Sequence, residues 1–141
     1  MHIGSSALKG ESAQFPRAAD RTTAEAINSY LRNRLPIDDC FVCYHDEGDG
    51  CDCRKPRPGL ILRAAERHGI DLEYSFLIGD RWRDIDAGYA AGCRTILIDH
   101  GYKEKDPANA PDARVSGLKD AVKWILIQPE RSPRNTKVSG Y

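Results

Sequence analysis

Four side chains of the kind that zinc prefers lie within one short polar segment of this sequence. Cys43 and His45 are followed, after five residues, by Cys51 and Cys53. Three thiolates and one imidazole can close a tetrahedron around a zinc ion, and a site filled by four protein ligands holds shape and leaves chemistry to other groups. The segment has few apolar anchors, so a metal would offset the entropy lost on ordering it. The pattern therefore predicts a structural zinc site in residues 43–53.

Other interpretations of these cysteines stay open at this point. Cys43 could end a buried strand beside a solvated His45, with Cys51 and Cys53 as free thiols. A redox pair is a further alternative, although the C-x-C spacing lacks a neighbouring thioredoxin-like pattern. The two remaining cysteines stand in apolar surroundings and are interpreted as packing residues instead of ligands. They are Cys40 and Cys93.

Size and charge exclude several classes of function. The chain has 141 residues, in which 21 Lys and Arg balance 21 Asp and Glu, so no general positive field favours nucleic acid. No apolar run reaches the ~18 to 20 residues of a membrane span, and the first residues do not resemble a secretion signal. Metal binding by thiols suits a reducing compartment. We therefore expect a soluble cytoplasmic protein with one small domain and neither nucleic-acid nor membrane partners.

Periodicity predicts alternating helices and strands between two polar ends. Residues 1–20 are interpreted as an irregular leader and residues 128–141 as a polar tail, which leaves a domain over residues 21–127. The order of elements over residues 74–98 is strand, helix, strand, which is typical of a parallel α/β unit. Helices are predicted over 22–35, 57–68, 80–91 and 116–127, and strands over 37–43, 74–78 and 93–98.

Two helix termini and one helix face carry specific predictions. Thr22 to Glu25 resembles a capping box that would start the first helix. Ser116 is expected to cap the last helix through its hydroxyl group. The apolar residues of that last helix are expected to face the core, namely Leu118, Val122, Ile125 and Leu126.

Charged side chains stand where open parallel sheets place their ligands. Asp80 directly follows an apolar strand, and Asp84 lies four residues later on the same side of the next helix. Carboxylates in this position suit Mg²⁺, which binds through one or two carboxylates plus substrate phosphate, although Asp80 would equally serve as an ordinary helix cap. Arg54 and Lys55 follow the zinc ligands, so a fixed loop would aim both at a phosphate. The alternative is a basic surface turn.

Together, these segments resemble successive motifs of one enzyme family. They are similar to those of the D-glycero-D-manno-heptose 1,7-bisphosphate phosphatases of the haloacid dehalogenase superfamily, with the histidinol-phosphate phosphatases as close relatives. The resemblance runs from about residue 22 to residue 127. It implies a Rossmann-like α/β fold: a truncated parallel sheet with helices on both faces and a zinc-stapled loop. The motifs are Cys43-x-His45, Cys51-x-Cys53-Arg54-Lys55-Pro56-x-Pro58-Gly59 and Gly79-Asp80-Arg81-x-x-Asp84-x-x-Ala87-Gly88.

The resemblance also implies roles for individual residues. Lys55 would hold the transferred phosphoryl group, and Arg54 and Arg81 would contact the substrate. Asp80 would act beside Lys55 in catalysis by helping to hold Mg²⁺, with Asp84 as the second acidic residue of the magnesium site. The implied reaction is hydrolysis of a phosphomonoester on a sugar bisphosphate, within carbohydrate metabolism.

One part of the family pattern is missing. In the family, an Asp nucleophile takes the phosphoryl group and a second Asp two residues later acts as acid and base. No Asp-x-Asp-Gly-Thr precedes the zinc loop, so we expect little or no turnover by the isolated chain. The strand at 74–78 then lacks a neighbour, which predicts a homodimer or a complementing chain. The alternatives are a non-catalytic zinc-stapled module that binds phosphate, and a fragment of a histidinol-phosphate phosphatase.

Overall fold

The computed structural model describes residues 17–129, in which four α-helices accompany three strands. The predicted leader and tail lie outside these residues except at 17–20, which are helical, and at 128–129. The helices are α1 (Arg17–Arg34), α2 (Gly59–His68), α3 (Trp82–Ala91) and α4 (Leu118–Leu126). The strands are β1 (Phe76–Gly79), β2 (Arg94–Ile98) and β3 (Ala113–Val115). No helix in this part of the chain is long and apolar enough to cross a membrane.

The three strands form one parallel sheet in the order β1-β2-β3. Phe76 is the partner of Arg94, and Ile96 is the partner of Ala113. This arrangement confirms the parallel unit predicted for β1, α3 and β2. The sequence did not indicate β3, because a strand of three residues is too short to show the alternation on which a strand prediction depends.

Helices cover both faces of the sheet, as predicted. Neighbouring residues of a strand point to opposite faces, so Phe76 and Leu77 contact different layers. On one face, Gly88 of α3 lies so close that an added Cβ would come 2.8 Å from Cγ2 of Thr95 and 3.0 Å from Cβ of Leu77. On the other face, the Trp124 ring of α4 meets Phe76 edge to face at a centroid distance of 6.1 Å. Thus α3 and α4 lie on opposite sides of β1 and β2.

The face that carries α3 has a small apolar core. Leu77, Ala91 and Cys93 are its buried members, and Ile61 of α2 packs against them. Cys93 is 3% exposed, which confirms its interpretation as a packing residue. The helices on this face end as predicted, since α2 and α3 stop at glycines whose φ angles, 62° and 89°, lie in the left-handed region.

Both predicted helix starts are wrong. The first helix begins at Arg17, so Thr22 lies within the helix and not at its cap. The last helix has Gly117 as its N-cap. The Ser116 hydroxyl instead donates to the carboxylate of Asp120 at 2.7 Å, so it bonds a side chain and not the backbone N–H of the first turn.

The inward face predicted for α4 is also mostly wrong. Ala121 is fully buried, and Ile125 is half-buried as expected. Three of the predicted core residues are exposed, at 46%, 42% and 77%. The physical reason is that the helix turns its Trp124 side toward Phe76 and approaches the sheet through a small residue. The exposed residues are Leu118, Val122 and Leu126.

Residues 37–43 form no strand, contrary to expectation. Their backbone is held by Asp39, whose carboxylate accepts a hydrogen bond from Arg32 of α1 and lies 2.9 Å from Nε2 of His68 of α2. The same carboxylate accepts the backbone N–H of Cys40 at 2.9 Å. Side-chain pairing with two helices therefore replaces the strand ladder in the segment that leads into the predicted zinc loop.

Candidate metal centre and phosphate site

The four predicted zinc ligands converge. Their ligand atoms all lie within 4.8 Å of one another. The sulfur of Cys53 is 3.1 Å from both Nδ1 of His45 and the sulfur of Cys43, and the sulfur of Cys51 is 3.7 Å from that of Cys43. Zinc–sulfur bonds of about 2.3 Å place tetrahedral ligand atoms about 3.7 Å apart, so this group fits a zinc ion. Cys40, as predicted, is not part of it.

The thiols of this cluster have unequal proton affinities. Burial, together with the sulfur atoms of Cys43 and Cys51, raises the pKa of Cys53 to about 12. Burial acts in the same direction on Cys51, but hydrogen bonds from Cys53 and from the backbone of Arg54 lower its pKa overall. Backbone N–H groups thus stabilise one thiolate, whereas the other requires a cation. A bound dication would meet that requirement.

The basic segment that follows is joined to the cluster through backbone carbonyls. Nη1 of Arg54 donates to the carbonyl oxygen of His45 at 2.8 Å, and Nη1 of Arg57 donates to that of Cys51 at 2.5 Å. Nε of Arg54 is buried and has no hydrogen-bond partner among residues 17–129. The hydrogen bond to His45 therefore attaches Arg54 to the loop that carries the Cys/His cluster.

Lys55 contacts Asp84, which lies on α3. Its Nζ is 2.5 Å from Oδ1 of Asp84, and the two side chains are 26% and 6% exposed. The other oxygen of Asp84 accepts the backbone N–H of Arg81 at 3.2 Å. Asp84 can lie this close to the end of β1 because Gly79 has no side chain. A Cβ on Gly79 would come 2.2 Å from Cβ of Asp84. The structure thus brings the segment after the zinc loop to the carboxyl end of β1.

Asp80 lies in a cleft at the same edge of the sheet. This cleft encloses about 250 Å³. Arg54, Lys55 and Asp84 are not among the residues that line it, so the predicted site is divided between Asp80 in the cleft and the Lys55 ion pair beside it. Besides Asp80, the lining includes Trp82, His100, Tyr102, Glu104, Lys105 and Arg114.

The loop after β2 supplies side chains to which the sequence assigned no role. The guanidinium of Arg81, predicted to contact substrate, lies 4.1 Å above the ring of Tyr102 and is bonded to the carboxylate of Glu104. Nζ of Lys105 lies 3.6 Å from the ring centroid of Trp82. One aromatic residue followed by three charged residues at 102–105 was the available signal. Their partners could not be read from it, because they lie about twenty residues earlier.

Comparison with known proteins places this geometry in a family. Residues 52–121 match the HAD-hydrolase-like family model. The crystal structure of D,D-heptose 1,7-bisphosphate phosphatase from B. bronchiseptica, complexed with magnesium and phosphate, matches with a TM-score of 0.60 and 28% identity. That match covers 77% of this chain and 64% of the other. The chain belongs to the HAD-like hydrolase family.

Several curated relatives of this HAD-like chain share one name. Three are D-glycero-beta-D-manno-heptose-1,7-bisphosphate 7-phosphatases, and the one from Helicobacter pylori is 35% identical over 72% of the chain. The Pseudomonas aeruginosa enzyme is 41% identical over 58%, and the Escherichia coli enzyme is 32% identical over 82%. The matches span 60%, 49% and 65% of these relatives' own lengths. The HAD-like chain therefore corresponds to about half to two thirds of each.

Proposed function

We propose that this chain carries the phosphate-holding and magnesium-holding part of a phosphatase acting on a sugar bisphosphate. The observation that supports this best is the Lys55–Asp84 contact, which joins the zinc-loop segment to the strand end that bears Asp80. The names of the relatives indicate the substrate, D-glycero-D-manno-heptose 1,7-bisphosphate. The proposed setting is carbohydrate metabolism in the cytoplasm, with residues 21–127 acting as one domain.

In this proposal the basic residues hold the phosphoryl group. Lys55 supplies a point charge that Asp84 orients, and Arg54 supplies its guanidinium at the edge of the zinc loop. Arg81 contributes further donors from the start of α3. Charged hydrogen bonds of this kind are about twice as strong as neutral ones, and they act most strongly where water is excluded. These residues would bind the phosphate and fix its orientation for attack.

Magnesium fits the acidic end of the same site. Asp80 presents a hard carboxylate at the carboxyl end of β1, where Mg²⁺ would neutralise charge on a bound phosphoryl group. Both oxygens of Asp84 already accept hydrogen bonds, one from Lys55 and one from the backbone of Arg81. We therefore assign Asp84 first to the orientation of Lys55, and its role as a second magnesium ligand stays a prediction.

The phosphoryl acceptor is the missing part. Covalent transfer needs a nucleophile in line with the leaving oxygen, and no Asp-x-Asp-Gly-Thr segment occurs in these 141 residues. We propose that a segment outside these residues, such as a complementing chain, supplies it at the outer edge of β1; a homodimer, the other predicted assembly, would cover this edge without adding the motif. Within residues 17–129 this strand ends the sheet, and such an edge has unpaired backbone groups that another strand can bond.

A second candidate is a zinc-stapled module that binds phosphate without turning substrate over. The absence of an identified nucleophile in the sequence favours it for the isolated chain. The two candidates make different predictions for magnesium-dependent turnover and the same prediction for phosphate binding.

The test uses the purified, zinc-loaded chain. Inorganic phosphate binding should be lost in Lys55→Ala and kept in Lys103→Ala, which removes an exposed lysine outside the cleft. Turnover of the heptose bisphosphate should be near zero alone, and a complementing segment should restore it. Turnover by the isolated chain that disappears in Asp80→Asn would exclude the non-catalytic module. Failure of the wild-type chain to bind phosphate would overturn both candidates, and a monomer by light scattering at high concentration would contradict the homodimer.

A further inference from the structure

Two segments at the rim of the cleft are joined by two cation–π contacts, and each segment supplies the cation of one contact and the aromatic ring of the other. Arg81, just before α3, places its guanidinium 4.1 Å above the ring of Tyr102, which lies in the loop after β2. In return, Lys105 of that loop places Nζ 3.6 Å from the ring centroid of Trp82 at the start of α3. Glu104 accepts a hydrogen bond from Arg81 as well. Arg81 is therefore held by two residues of the loop, through a cation–π contact with Tyr102 and a hydrogen bond to Glu104.

The guanidinium of Arg81 keeps donors for a ligand. It carries five N–H donors in a fixed planar fork, and the hydrogen bond to Glu104 uses one of them, on Nη1. Among residues 17–129, Glu104 is the only group that accepts a hydrogen bond from it. The side chains of Arg81 and Glu104 are 34% and 35% exposed. Tyr102 and Glu104 line the cleft that contains Asp80, whereas Arg81 does not, so its partly exposed guanidinium lies beside this cleft.

The loop does not need this contact for its attachment. The carboxylate of Asp86 on α3 accepts the backbone N–H groups of Ala108 and Asn109 at 3.2 and 3.1 Å. The Lys105–Trp82 stack fastens the same loop independently of Arg81. Tyr102 and Glu104 instead fix the orientation of the Arg81 guanidinium.

We propose that Tyr102 and Glu104 are positioning residues that hold Arg81 toward the phosphate oxygens of a substrate bound next to Asp80. This inference rests on the proposed function, because it concerns the same phosphate site. An arginine already held by a cation–π contact and an ion pair loses less side-chain entropy when a ligand binds than a mobile one does. Removal of either residue should therefore weaken phosphate binding through its effect on Arg81.

The experiment measures the affinity of the zinc-loaded chain for inorganic phosphate by calorimetry, with Mg²⁺ present. We expect Tyr102→Ala to weaken binding about twofold to fivefold, which is the worth of one cation–π contact. Glu104→Gln should weaken it comparably. Tyr102→Phe should restore the wild-type value because the ring remains, and Tyr102→Ala should have no further effect in an Arg81→Ala background.

Asp86→Ala is the matched control. It removes the hydrogen bonds that attach the same loop to α3, lies outside the cleft lining and leaves both partners of Arg81 in place. Equal losses in Asp86→Ala and Tyr102→Ala would mean that the loop matters only as a structural unit, and would overturn the proposal. Unchanged binding in Tyr102→Ala, with binding lost in Lys55→Ala, would overturn this inference and leave the proposed function standing. A wild-type chain that binds no phosphate would overturn both.

Discussion

Lys55 and Asp84 form a largely buried ion pair, with Nζ 2.5 Å from Oδ1, although 29 residues separate them in the sequence. This contact attaches the segment after the zinc loop to the helix that starts at the carboxyl end of β1. It also holds the lysine's charge at the position where the proposed function needs it.

Removal of the lysine should destabilise the chain. Lys55→Met leaves the Asp84 carboxylate buried without its cation, and we expect the free energy of unfolding to fall by about 3 kcal/mol. Asp84→Asn in the Lys55→Met background should recover most of this loss, because it removes the uncompensated charge. Urea unfolding of the single and double variants measures both effects.

An exposed ion pair provides the comparison. Lys123 pairs with Asp120 at 3.4 Å, but these side chains are 67% and 45% exposed. Lys123→Met should change the free energy of unfolding by less than about 1 kcal/mol, since exposed pairs contribute little. Equal effects of Lys123→Met and Lys55→Met would contradict the importance of the buried pair.

Gly79 should not tolerate a side chain. A Cβ at this position would lie 2.2 Å from Cβ of Asp84, so Gly79→Ala must displace the carboxylate that holds Lys55. We expect a loss of about 1 to 3 kcal/mol in stability, together with weaker phosphate binding. Gly48→Ala is the control, because no atom lies within 4 Å of its added Cβ and its φ is not in the left-handed region. Chemical unfolding of the two variants side by side would reveal the difference, and similar stabilities would refute this account of the strand end.

Zinc should bind with one ion per chain and should raise the unfolding temperature. Cys51→Ala is the preferred variant, because Cys51 is only half-buried whereas Cys53 also belongs to the buried core at 1% exposure. We expect Cys51→Ala to lose most of the bound zinc and Cys40→Ala to retain it. Metal analysis by mass spectrometry, with thermal unfolding before and after chelation, checks both statements. Full zinc content in Cys51→Ala would exclude this ligand set.

Zinc affinity should rise with pH. In the metal-free chain, the raised pKa of Cys53, about 12, keeps this thiol protonated at neutral pH, so zinc must displace its proton. A lower pH favours the protonated, metal-free state, and each thiol proton displaced should change the apparent affinity about tenfold per pH unit. Competition with a chromophoric chelator at pH 6 and pH 8 measures the slope. A flat profile would contradict binding through protonated thiols.

The sequence best predicted those features whose contacting residues lie close together in the chain. Cys43, His45, Cys51 and Cys53 lie within one loop, so their spacing alone indicated a common metal. Parallel strands around α3 were predictable because that helix and its flanking strands are continuous in sequence. The family motifs also placed Lys55 at the site, where the structure pairs it with Asp84.

Features that depend on distant packing were not predictable. The apolar stripe of α4 was read as a core face, yet a three-stranded sheet covers only the Ala121 and Trp124 side and leaves Leu126 77% exposed. Residues 37–43 have strand propensity, but Asp39 pairs with side chains of α1 and α2 instead. Strand propensity is a weak constraint when charged groups on neighbouring helices can bond side chains of the same segment.

The hydrogen bonds from Arg54 and Arg57 to the carbonyls of His45 and Cys51 have a thermodynamic consequence. If zinc fixes those carbonyls, it also orders the guanidinium that would meet phosphate, so the two ligands share one coupling free energy. Linkage makes such a coupling reciprocal: zinc tightens phosphate by the same factor by which phosphate tightens zinc. Zinc, which does not contact the substrate, would thus act as an effector of phosphate binding, and the zinc concentration would determine the phosphate affinity of this chain.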